Sequence, residues 1–275
     1  MYKQIDECIK KVEGFALSSP YGKGKSLGQP LGVKSVGLVK VYTESGVYGL
    51  GETYSGVYAP ELIQPVVSFL ESYLIGHLVG DDLIFDDIKN IPFIGSNGIL
   101  RSVFSAIETA IWDARGKILE VPISHLINNN SRKSAPLYAS SGTAIFTSDE
   151  IIKDVENILD LGYTAYKMRV GYQDWNTDIK RVESARNILG NSDLMVDAIM
   201  GTLRPVWSTD KAIIRAQTLV DFSLRWLEEP VHPENIKGLA EVCHSKLVPI
   251  AAGEAYSGNV EYQAILDLQA VDVLQ

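Results

Sequence analysis

Six short apolar runs in the second half of the chain, all but the last followed by a turn and a helix-like pattern, constrain this sequence more than any other feature. They fall at 135–140, 164–170, 194–199, 225–229, 249–254 and 270–274. Helical patterns near 149–160, 176–188, 210–221, 234–244 and 259–267 alternate with them. Such alternation predicts parallel strands joined by crossover helices, and the tandem series reads as a (β/α) TIM-type barrel with about six strands present. An open doubly wound sheet competes, but no Gly-x-Gly-x-x-Gly follows the first run, so a dinucleotide-binding sheet has little support.

Charged residues close the runs. They are Lys167 and Arg169 in Tyr-Lys-Met-Arg-Val-Gly, Asp197 in Val-Asp-Ala, Glu228 in Trp-Leu-Glu-Glu-Pro and Glu254 in Ala-Gly-Glu-Ala. Barrels of this kind do their chemistry where strands end, so these side chains are expected to converge on one pocket. Three carboxylates suit Mg²⁺, which prefers oxygen ligands and keeps positions for water or substrate. Unrelated surface salt bridges are the competing reading. Glu229 is the weaker ligand of its pair, because alternate residues of a strand face opposite sides. Lys167 and Arg169, two apart, share a face, and two cations there imply an anionic substrate. A lysine can neutralise that anion or serve as a base; an arginine can only neutralise it.

The first half has a different texture. Ile5, Ile9 and Val12 stand at helical spacing, which predicts a short helix or arm over 1–14. The glycine-rich stretch 19–32 reads as a loop, either a plain surface connection or a lid whose Tyr21, Lys23 or Lys25 reaches an acidic substrate. Its Gly-Lys-Ser lacks the spacing of a phosphate-binding loop. Residues 33–43 and 47–54 predict a hairpin turning at Glu44-Ser45-Gly46. Helices follow, one from Pro60 with Ile63, Val67, Leu70 and Leu74 on its apolar face, and one from Ile99 capped by Asn97 with Val103, Phe104, Ile107 and Ile111 inward. Hairpin followed by helices describes an α+β domain over 1–130, and the polar run at 128–133 separates it from a barrel domain over 131–275.

Charge and composition exclude other classes. A net charge of −9 without a basic run argues against nucleic acid or an anionic membrane surface as partner. No apolar run approaches a membrane span and no charged-then-apolar leader opens the chain, so a cytoplasmic protein is expected. Cys8 and Cys243 lack metal-ligand spacing and read as buried thiols.

The ordered set of motifs resembles the mandelate racemase/muconate lactonizing enzyme group of the enolase superfamily. The carriers are Gly-Leu-Gly-Glu-Thr-Tyr (49–54), Ala-Ile-Glu-Thr-Ala-Ile-Trp-Asp-Ala-Arg-Gly-Lys (106–117), the Lys-x-Arg strand, Asp197, Glu-Glu-Pro and Gly-Glu. The resemblance implies an α+β capping domain over a (β/α) barrel, with Mg²⁺ on Asp197, Glu228 and Glu254. It also implies removal of the proton next to the carboxylate of a hydroxy acid, with a Lys or His base and an ene-diolate intermediate. Lys167 and Arg169 would hold the carboxylate, while Tyr54, His232 and the 20s loop would shape specificity. Racemising relatives carry a second lysine where this chain has Arg169, so an acid-sugar dehydratase is the expected activity. A racemase or epimerase using Lys167 is the rival. Ile199 stands where many relatives have asparagine. The sequence stops at Gln275 as the sixth run finishes, before the Asp and His that a family barrel would supply. The chain is therefore expected to be a C-terminally truncated piece, either of a homo-oligomeric enzyme or an inactive remnant.

Overall fold

Alternation along two strands builds the first half of the molecule. In β2 (Val33–Thr43), Ser35, Gly37, Val39, Val41 and Thr43 face inward, and β2 pairs antiparallel with β1 (Ile9–Pro20) and with β3 (Tyr48–Thr53). The computed structural model describes residues 5–20, 32–92 and 98–275. These fall into two compact units, Met1–Ser134 and Ala135–Gln275. The hairpin turns where predicted, with Gly46 at a positive φ of 88° that suits a residue without Cβ.

Residues 9–20 form a strand, which corrects the helix or arm expected over 1–14 and removes Ser19 and Pro20 from the expected loop. The helical spacing has a local cause. A register irregularity between Ile9 and Lys11 inserts an extra residue, so Ile9 and Val12 both face the core although they are three apart. Tyr21, Lys23, Lys25 and Asn97 lie outside the described residues.

Six helical segments follow: α1 (Ser55–Tyr58), a 3₁₀ turn (Pro60–Leu62), α2 (Ile63–Glu71), α3 (Leu83–Lys89), α4 (Gly98–Leu119) and α5 (Ile123–Ile127). The core of this unit joins Val39 and Val41 to Ile63, Val67 and Leu70 of α2 and to Phe104, Ile107 and Ile111 of α4. Gly49 and Gly51 let β3 press against α4. A Cβ at either position would overlap the Ala110 or Ala106 carbonyl oxygen.

The second unit follows the predicted alternation closely. Its strands are β4 (Ala139–Ser140), β5 (Ala165–Arg169), β6 (Asp193–Asp197), β7 (Trp226–Glu228), β8 (Ile250–Ala252) and β9 (Val273–Leu274), all parallel and in sequence order. The helices between them are α6 (Ser148–Asp160), α7 (Trp175–Leu189), α8 (Thr209–Leu219), α9 (Ile236–His244) and α10 (Asn259–Asp267). Side chains cap four of these helices at their N-termini: Thr147 in a reciprocal box with Glu150, then Asp174, Ser208 and Asn235. Cys243 is buried as expected, whereas Cys8 is only half-buried. None of the described helices is long and apolar enough to cross a membrane.

Candidate functional site

Strand register gathers the charged residues. Arg169 pairs with Asp197 and Asp197 with Glu228, so the last residues of β5, β6 and β7 stand in one row. Two residues earlier, Lys167, Met195 and Trp226 form a second row. Met195 and Trp226 pack with Ala251 as an apolar floor.

The ammonium of Lys167 lies 2.6 Å from Glu228 Oε1 and 3.5 Å from Asp197 Oδ2. Arg169 Nε is 4.0 Å from the same Asp197 oxygen, and its side chain is partly exposed. Lys167, Asp197 and Glu228 are buried. The other oxygens of the two carboxylates also have donors: the Ile199 N–H donates to Asp197 Oδ1 at 2.9 Å, and the Trp226 indole N–H donates to Glu228 Oε2 at 2.9 Å. The ring of Tyr138 lies under the Lys167 ammonium at 5.8 Å and meets Trp226 edge-on.

Electrostatics follow from burial and crowding. Burial pushes the Asp197 carboxyl up, and the neighbouring Glu228 adds to this, to about 7 against the opposing pull of Lys167. Burial lowers the Lys167 ammonium, but attraction to Asp197 and Glu228 outweighs it and leaves the group raised. Glu229, which strand alternation sets aside, is buried as well. Burial and then repulsion from Glu254, Asp197 and Glu228 push its carboxyl up to about 8. β7 ends at Glu228, so alternation no longer governs the next residue; Glu229 has a left-handed φ of 43°. Ile199, just past β6, is left-handed too. Each such non-glycine position costs ~1–2 kcal/mol, which the surrounding packing must offset.

Glu254 and His232 fall outside the paired strand residues. Glu254 is exposed beyond β8, and its charge reaches Glu229. Among the described residues no group of three His, Cys, Asp or Glu is arranged to hold a metal ion. His232 is half-buried in the turn after β7, where Nδ1 accepts from the Glu234 N–H at 3.3 Å. Tyr54, on the first unit, is exposed and meets Tyr58 edge-on. The donor chemistry nonetheless fits a hard divalent cation. Asp197 is repelled by Glu228, and Glu229 by Glu254, Asp197 and Glu228, so four carboxylate groups of the kind that bind such a cation act within one neighbourhood. Sequence reading missed Trp226 and Tyr138. The signal for Trp226 was its place two residues before Glu228, on the same strand face.

Comparison with known proteins gives a consistent picture. Residues 29–128 match the family described as mandelate racemase/muconate lactonizing enzyme, N-terminal domain, and residues 150–275 match the enolase C-terminal domain-like family. The 3,6-anhydro-alpha-L-galactonate cycloisomerase of Streptomyces coelicolor is 31% identical over 78% of this chain and 59% of its own length. The L-talarate/galactarate dehydratase of Salmonella typhimurium is 27% identical over 94% of this chain and 65% of its own length. A crystal structure of the Salmonella dehydratase with Mg and L-lyxarohydroxamate superposes with a TM-score of 0.87 at 25% identity, covering 98% of this chain and 70% of that one. The chain thus spans about three fifths of the length of the curated relatives it matches.

Proposed function

Because the chain belongs to the mandelate racemase/muconate lactonizing enzyme family of the enolase superfamily, we propose that it serves a Mg²⁺-dependent enzyme acting on a hydroxy-carboxylate, and most specifically an acid-sugar dehydratase. One observation carries this reading: Lys167 and Arg169 stand beside Asp197 and Glu228 in adjacent rows at the ends of three neighbouring strands. Several relatives with names that specify sugar acids or their anhydro and lactone forms, among them the Salmonella dehydratase and the Streptomyces cycloisomerase, support the substrate class.

Asp197 and Glu228 would hold the metal, with Glu254 as the third carboxylate. A proton next to a carboxylate is very weakly acidic, and bound Mg²⁺ would supply fixed positive charge where negative charge develops on the substrate. Lys167 and Arg169 contribute the remaining positive charge. Lys167 acts from a buried position where charge is poorly screened; Arg169, partly exposed, presents a planar fork that matches a carboxylate. Met195, Trp226 and Ala251 pack together as buried apolar neighbours of the row. Arg169 cannot act as a base, so the proton acceptor of a one-base elimination is another residue.

Glu228→Gln tests the metal assignment directly. The variant should bind Mg²⁺ more weakly by calorimetry, and unchanged affinity would sink the assignment. Incubation with a panel of acid sugars in D₂O, followed by NMR, sorts the reactions: loss of water supports the dehydratase, and α-deuterium exchange without it supports a racemase or epimerase. Stabilisation by Mg²⁺ with neither outcome would identify a binding remnant.

A further inference from the structure

Trp226 sits among apolar neighbours. It stands in the lower row with Lys167 and Met195, packs against Met195 and Ala251, is almost fully buried, and meets the Tyr138 ring edge-on at 5.6 Å between centroids. What distinguishes an indole from Leu or Phe there is one N–H. Buried indoles require a hydrogen-bond acceptor, and in this apolar floor the acceptor is Glu228 Oε2 at 2.9 Å. Trp226 and Glu228 are two apart on β7 and so project to the same face, which brings donor and carboxylate together without any loop. Glu228 has no exposed surface, so each of its oxygens needs a partner: Lys167 takes Oε1 and Trp226 takes Oε2.

We propose that Trp226 is a positioning residue: its indole N–H fixes the rotamer of the Glu228 carboxylate and thereby sets how well the site takes up a divalent cation. The inference rests on the reading of Glu228 as a metal ligand. Lys167 carries a charge that competes with a cation for the carboxylate, whereas the indole is rigid, neutral and held between Met195, Ala251 and Tyr138. A neutral donor orients the carboxylate without competing with a cation for it. Partners of this kind behind a ligand are typically worth about 10- to 100-fold in metal affinity.

Two substitutions separate the hydrogen bond from the packing. Trp226→Phe keeps an aromatic ring and removes the N–H. Trp226→His loses bulk but keeps a ring N–H, because imidazole Nε2 is as many bonds from Cβ as indole Nε1. With Mg²⁺ titrated calorimetrically, Trp226→Phe is expected to bind about tenfold or more weakly and Trp226→His to recover most of the loss. A purely structural role predicts the reverse order, and that order, or equal affinity in all three proteins, overturns the proposal. If Trp226→Phe does not fold, Trp226→His decides alone: near-native affinity supports the hydrogen bond and a full loss refutes it. The contact has its own readout without metal. The indole N–H resonance of Trp226 should move in Glu228→Gln, and an unmoved resonance overturns the inference. If that resonance moves while Glu228→Gln leaves Mg²⁺ affinity intact, the metal reading fails and the positioning role for it falls as well. If Glu228→Gln weakens Mg²⁺ binding but Trp226→Phe does not, only the positioning role fails.

Discussion

Arg181 and Asp178 are fully buried and joined at 2.7 Å, one turn apart on α7. The pair reaches further than its own helix. Arg181 also donates to the carbonyls of Arg169 and Thr143, and Asp178 accepts from the Gly171 N–H. It therefore fastens the chain where β5 ends, beside the candidate site. Replacing one partner leaves a buried charge uncompensated, so Arg181→Met should lower stability by about 3–5 kcal/mol in urea unfolding. A loss below about 1 kcal/mol would show that water reaches Asp178 in the variant. At this scale the sequence was informative for charged residues at or near a strand end: the structure brings the expected Lys167, Arg169, Asp197 and Glu228 together. It was silent where a role depends on what lies across the sheet. Arg181 looks like any helix-surface cation in sequence, and the burial of Glu229 was not readable from an alternation that ends one residue before it.

Elements met their expectations where local signals agreed. Each helix from α6 to α9 starts at a Thr, Asp, Ser or Asn whose oxygen accepts a first-turn N–H, and β5 to β8 are largely apolar runs ended by turns. Thr147→Ala should remove one side of the α6 capping box and cost about 1 kcal/mol, readable as a lower thermal midpoint. β1 was misread because its bulge imitates a helical repeat in the residues Ile9 and Val12. The contact of β3 with α4 was legible only as a motif. The packing explains its two glycines, since Gly51→Ala forces the strand off the helix backbone at Ala106. That substitution should destabilise by roughly 1–3 kcal/mol or more, and a variant melting like the parent would mean the sheet can shift without loss.

On the scale of the molecule, each unit buries hydrophobic residues of its own. The large cluster running from Ile5 to Ala114 draws only on residues before Ser134, and the Met195–Trp226–Ala251 floor only on residues after it. A chain ending at Ser134 is thus expected to unfold cooperatively in urea, whereas a featureless, sloping transition would show that the first unit needs the second. The alternation in the second half announced its architecture because each βα step repeats the same local rules. The first half gave its class but not its first strand, whose partner lies some twenty residues away, across a segment without strong local pattern. The division also orders events in time. At roughly 5–20 residues per second, synthesis of the second half occupies on the order of ten seconds, far longer than a small domain needs to fold. Every strand and helix of the first unit is translated before Asp197 and Glu228, so a nascent chain has all of that unit's residues available to fold before the acidic row can be assembled.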